Sequence, residues 1–145
     1  QKKSPLKKPH SRKSSHDRFV QTRPAAAKER EESHLKRWLR EHHITEVECL
    51  VPDITGNARG KIIPAAKFSH DYGTRLPEGI FATTVTGDYP DNYDELVSPS
   101  DSDMVLRPDP DTVRMVPWAS APTAQVIHDC YDRERRLVPF APRSE

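Results

Sequence analysis

The chain has 145 residues, 34% of them hydrophobic and 31% charged, with a net charge of only +1. That length suits one domain, and the hydrophobic share lies below the roughly 45–50% usual for globular chains, so part of it is expected not to fold. No apolar run approaches the roughly 18 residues that span a bilayer, and the N-terminal basic residues are not followed by the apolar core of a secretory signal, which points to a soluble, cytoplasmic protein.

The near-neutral total hides two opposed segments. Lys2, Lys3, Lys7, Lys8, Arg12, Lys13, Arg18 and Arg23 face only Asp17, a net +7 before residue 24, while 15 basic against 21 acidic groups leave −6 for the rest. So many like charges with so few apolar residues cannot offset the roughly 1–2 kcal/mol per residue of backbone ordering, so residues 1–23 are expected to be a disordered tail. A basic arm can bind nucleic acid or anionic lipid by counterion release. This one has Phe19 as its only aromatic and no amphipathic period, so it reads as a solubilising or targeting-like extension and nucleic acid is not an expected partner.

From Ala25 to His43 helix formers dominate, and Leu35, Trp38, Leu39 and His42 recur at three- and four-residue steps. This predicts an amphipathic helix over 25–43, with Trp38 as a core anchor. Val47 to Val51 is β-prone, Pro52 to Asn57 carries turn chemistry, and Lys61 to Ile63 resumes an extended run, together a hairpin. Ala65 to Tyr72 behind Pro64 suits a turn or two of helix, stopped by Gly73. Ile80 to Thr86 (IFATTVT) is predicted as a strand from its β-branched and aromatic content, and the acidic GDYPDNYDELVSPSDSD that follows is predicted as a long surface loop. Met104 to Arg107, Val113 to Trp118 and Ala124 to Tyr131 complete a set of five or six short strands. One early helix with these strands is an α+β pattern.

The residues alone carry no phosphate-binding GxxxxGK[ST] loop, no GxSxG elbow and no His/Cys/carboxylate set at metal spacing, so no metal site is expected and the chain is not expected to be self-sufficient as an enzyme. Cys49 and Cys130 stand far apart with no CxxC spacing and read as two free thiols. The acidic loop offers Asp88, Asp91, Asp94, Glu95, Asp101 and Asp103, whose field attracts cations, but without the DxDxDG spacing of a calcium loop.

Two segments carry a resemblance. VECLVPDITGNARGKIIPAAKF is similar to the N-terminal hairpin of glutamine synthetase-type enzymes, and SDSDMVLRPDPDTVRMVPWASAPTAQVIHDCYD resembles the segment after it, in the same order over residues 46–142. The "VPW" and "VIHDCYD" wording is closer to the subgroup that joins glutamate to polyamines, such as γ-glutamylputrescine synthetase, than to the ammonia enzyme. The resemblance implies a ubiquitin-like β-grasp domain over 45–142, without the large catalytic domain. It also implies a ring-shaped homo-oligomer whose active sites lie between one subunit's N-terminal domain and its neighbour's catalytic domain. In the full-length enzyme ATP with Mg²⁺ or Mn²⁺ would phosphorylate glutamate, and ammonia or a polyamine would displace the phosphate. The fragment alone is then expected to bind no cofactor and to be inactive. Asp88 sits where glutamine synthetases carry a loop Asp that holds and deprotonates ammonium, with Gly87 before it and Tyr89 and Pro90 after it in place of the usual Gly and Ser residues. Asp91, Asp94 and Glu95 are the candidates for a polyamine's distal ammonium. The competing reading is a stand-alone β-grasp interaction module that binds partners through an exposed sheet edge and the basic tail.

Overall fold

The computed structural model describes residues 25–97, 102–139 and 141–144. The expected disordered tail, residues 1–23, lies outside them, as does Asp101. Helix α1 spans Ala25–Glu41 and buries Leu35 and Leu39, one turn apart on a single face. It ends because His43 takes a left-handed conformation (φ 53°), which lets Ile44 N–H reach Leu39 O (3.0 Å) and His43 N–H reach Arg40 O (3.1 Å). Ile44 packs in the same cluster as Leu39, the apolar contact that accompanies this type of C-cap. Trp38 is half-buried at the margin of that cluster, its ring stacked 3.9 Å from His42, so it is less enclosed than a core anchor.

Strands β1 (Glu46–Pro52) and β2 (Ala58–Pro64) form the expected hairpin, in register from Glu46↔Pro64 to Pro52↔Ala58. Helix α2 (Ala65–Asp71) follows and closes on Tyr72 in the left-handed region. Gly73 (φ 130°) comes next, and a Cβ there would stand 2.1 Å from Leu106 O, so only glycine fits between helix and sheet. Strand β3 (Thr74–Pro77), a 3₁₀ turn (Glu78–Ala82) and the short helix α3 (Tyr93–Leu96) lead to β4 (Asp103–Pro108), β5 (Arg114–Met115) and β6 (Thr123–Tyr131).

The sheet order is β2-β1-β6-β4-β3. Its centre is the parallel pair β1/β6, Glu46↔Thr123 to Leu50↔Ile127, with antiparallel neighbours on both sides. β5 and β4 share the other edge of β6, β5 at Ala124 and Gln125 and β4 from His128 to Tyr131. A helix laid across a sheet with a central parallel pair is the β-grasp arrangement, and the chain has this α+β fold.

Alternation puts one face inward: Val47, Cys49 and Val51 from β1, and Ala124, Val126, His128 and Cys130 from β6, are buried. Leu35, Leu39 and Phe68 from the helices cover the first half of that face, and in the second half Met104 and Leu106 of β4 cluster with Val51 and Cys130 and with Val138 and Ala141. Each large side chain so enclosed contributes about 1.5–3 kcal/mol. Both cysteines are free and buried, and burial pushes each thiol up to about 12, which leaves them protonated and unreactive at neutral pH.

Two strand expectations are corrected. Ile80–Thr86 is not a strand: Ile80 lies in the 3₁₀ turn, packed with Phe81 against the second cluster, and residues 83–86 form a loop. The threonine hydroxyls decide this, bonding locally (Thr83 Oγ1–H to Ile80 O, 3.0 Å; Asp88 N–H to Thr84 Oγ1, 3.1 Å) instead of standing along a ladder. The strand at this edge is β3, which pairs β4 from Thr74↔Leu106 to Pro77↔Asp103. Val113–Trp118 narrows to the two residues of β5, because Pro117 enters a turn that leaves Trp118 exposed.

Candidate functional site

The tip of the β1–β2 hairpin is built around one carboxylate. Asp53 Oδ1 accepts from Thr55 N–H (2.9 Å), Thr55 Oγ1–H (2.6 Å) and Asn57 N–H (2.9 Å), and Oδ2 accepts from Arg59 Nε–H (2.9 Å). An aspartate that bonds backbone two and four residues on is an Asx-type turn, and Gly56 at φ 84° completes it. The residue is 8% exposed. Burial on its own raises the Asp53 pKa, but the bonds from Thr55, Arg59 and Asn57 outweigh it and hold the group at about 2.

Asp88 lies beside this turn, in a loop closed on itself. Thr84 N–H donates to Asp88 O (2.9 Å), and Gly87 N–H to Thr84 O (2.9 Å), with Gly87 at φ 91°. Thr86 Oγ1–H donates to Asp88 Oδ2 at 2.6 Å, so the 2.9 Å contact between the Thr84 and Thr86 hydroxyls has Thr84 as donor. Asp88 is exposed and its Oδ1 accepts nothing among the described residues, which leaves that oxygen open to a cation. From the hairpin, Arg59 Nη2–H donates to Thr84 O (2.8 Å) and Asn57 Nδ2–H to Val85 O (3.2 Å).

Asp91 lies in the turn before α3, and Asp94 and Glu95 lie on α3, all exposed. Among the described residues no hydrogen bond or ion pair joins them to Asp88. The acidic segment is therefore not the bare loop the sequence suggested: α3 forms in it, Val97 is buried, and Tyr89 packs edge-on against Tyr93 at 4.6 Å. Between the 3₁₀ turn and α3 runs a small apolar crevice lined by Phe81, Ala82, Leu96 and Val97, with Glu78 at its side. Among the described residues no three His, Cys, Asp or Glu come together as metal ligands, and no helix is long and apolar enough to cross a membrane.

Asp53, Asn57 and Arg59 lie within the hairpin motif, whose sequence gives them no functional role. The D-x-T-G-N order was the available signal for the turn. The link from Arg59 to Thr84, 25 residues on, had none.

No family model matches the chain. Over 101 residues, 68% of its length, it is 32% identical to Lengsin of Canis lupus familiaris, and it spans 17% of that protein. Among solved structures, apo GmaS without ligand superposes with a TM-score of 0.57 at 23% identity, over 76% of this chain and 23% of that one. The chain shares the fold of part of GmaS. A GmaS/ADP complex gives 0.55 at 24% identity with the same coverage. The chain thus spans less than a quarter of each of these relatives.

Proposed function

We propose that this chain is the N-terminal β-grasp domain of an ATP-dependent glutamate–amine ligase of the glutamine synthetase family, the family of GmaS. The supporting observation is the likeness to GmaS over 76% of the chain but only 23% of GmaS, which fits a domain that forms one part of a larger enzyme. The 32% identity to Lengsin over 101 residues and the two ordered segments over residues 46–142 point the same way.

In this reading the domain sits against the catalytic domain of a neighbouring subunit in a cytoplasmic ring, and Asp88 faces the amine there. An amine arrives as a cation and must lose a proton before it attacks an acyl phosphate, so an exposed carboxylate with one unengaged oxygen can both hold the ammonium and take its proton. Asp91, Asp94 and Glu95 lie seven residues or less further on and supply negative charge for the distal ammonium of a polyamine. Among the described residues no three His, Cys, Asp or Glu come together to hold Mg²⁺ or Mn²⁺, and no step of phosphoryl transfer is assigned to them. That GmaS has been obtained with ADP supports a nucleotide in the whole enzyme.

The test is Asp88→Asn in the full-length ligase. Turnover with amine should fall by roughly 10²-fold, the usual scale for a general base, with ATP binding intact. Unchanged amine kinetics would remove Asp88 from the site. The interaction-module reading keeps one observation in its favour, the outer edge of β2, which no strand pairs among the described residues.

A further inference from the structure

The loop that carries Asp88 is nearly detached from the fold it belongs to. Its internal bonds, Thr84 N–H to Asp88 O, Gly87 N–H to Thr84 O and the hydroxyl chain from Thr84 to Thr86 to Asp88, shape it but do not place it. Among the described residues, its hydrogen bonds to the rest of the chain come from Arg59 and Asn57 of the hairpin. The stronger is the charged one, at 2.8 Å on Thr84 O, the same carbonyl that closes the turn at Gly87.

Arg59 is itself held. Its Nε–H is committed to Asp53 Oδ2 while Nη2 reaches the loop, so one planar guanidinium spans two chain segments at a fixed angle. The other end of the strut is anchored by the hairpin turn, where Asp53 is held by four bonds and β1 and β2 are paired over seven residues each. A Cβ at Gly87 would stand 3.8 Å from Arg59 Nη1, so the guanidinium passes directly under the residue preceding Asp88.

We propose that Arg59 is the positioning residue of the amine site, holding the 84–88 loop so that Asp88 presents its free oxygen at one fixed place, with Asp53 as the clamp that aims it. This rests on the reading of Asp88 given above. Lysine cannot substitute, because a point-charge ammonium cannot donate to Asp53 and Thr84 through one rigid plane.

The experiment uses the full-length ligase with Arg59→Ala, Arg59→Lys, Asp88→Asn and, as a control that removes an exposed ion pair on α2 away from the strut, Lys67→Ala. Hydrogen exchange of the peptide covering residues 83–89 is read beside steady-state kinetics in amine and in ATP. Arg59→Ala should speed exchange of the Thr84 and Gly87 amides by about tenfold or more, the scale of losing a charged hydrogen bond. It should also lower kcat/KM for the amine by about tenfold to a hundredfold while KM for ATP stays put. Arg59→Lys should recover only part of either effect, and Lys67→Ala should leave both near wild type. Loop exchange unchanged in Arg59→Ala overturns the strut. Faster exchange with amine and ATP kinetics falling together overturns the positioning role and leaves Arg59 a stabiliser only. Asp88→Asn separates the two layers: it should cut amine turnover with loop exchange unaltered. If it leaves turnover unchanged while Arg59→Ala still loosens the loop, the amine-site reading fails and the mechanical link survives.

Discussion

Asp53 and Asp88 lie on neighbouring loops, are connected through Arg59 and Thr84, and differ in nearly every physical respect. Asp53 is enclosed, accepts four hydrogen bonds, and is held at a pKa of about 2 although burial works the other way. Asp88 is exposed and spends one oxygen on Thr86. A carboxylate whose lone pairs are all satisfied within the chain fixes backbone and has nothing left for a ligand. One with an unengaged oxygen on a braced loop can meet a cation arriving from outside. The same residue type is thus structural at the hairpin and available at the loop, and the difference lies in the count of donors around each.

The largest effect expected from that contrast is on stability. Asp53→Ala strands the guanidinium of Arg59 and the donors of Thr55 and Asn57, and should cost about 3 kcal/mol in urea unfolding, within the usual range for breaking a buried, bonded charge pair. Asp88→Ala should stay within about 0.5 kcal/mol of wild type, as surface changes do. Equal losses in the two variants would erase the distinction.

A second pair of groups separates by pH. His128 is buried at 1% exposure, its Nδ1–H bonded to Val126 O (2.9 Å) and its ring edge-on to Phe68. Burial pulls it down from 6.5 to about 4, only partly offset by backbone hydrogen bonding at Val126 and Leu50 and by the charge of Asp129. Its folded value lies below its unfolded one, so its contribution is fully present above about 6.5 and is lost as pH falls toward 4. The loss is on the order of 3 kcal/mol, from 1.36 kcal/mol per unit. Asp53, also depressed, keeps its contribution above its ordinary 3.8 and loses it as pH falls through about 2. Urea midpoints should therefore drop between pH 7 and pH 5 in the wild type and much less in His128→Phe. A drop of the same size in both would take the effect away from His128.

The smallest effect concerns Arg143, which joins Asp129 (2.8 Å) and Asp109 (2.5 Å) at the surface. It is about one-third exposed, so Arg143→Ala should cost no more than about 1 kcal/mol at low salt and less in 0.5 M salt. A loss of 3 kcal/mol would show that exposure is a poor guide to how these carboxylates divide.

What could be read from the sequence follows the same division between local and distant causes. β1 and β2 are legible as β-prone runs on either side of turn residues, β6 as a further short β-prone run, and α1 by the spacing of Leu35 and Leu39. IFATTVT has strand composition but no partner in space, because its edge of the sheet is taken by the four residues of β3, one of them Arg75 and one Pro77. Asp88 could be singled out by its place in the chain. Its brace could not, since the strut joins residues 59 and 84 through a guanidinium and a carbonyl that leave no periodic trace.

Product formation is the most direct test of the proposal that this fold is part of a glutamate–amine ligase. The full-length protein, given glutamate, ATP and Mg²⁺ with ammonia or a polyamine in separate reactions, should form a γ-glutamyl amide and release ADP in step with it, dependent on the amine. No γ-glutamyl product from a folded full-length protein with any of these amines would contradict the account and favour a β-grasp module that binds partners instead.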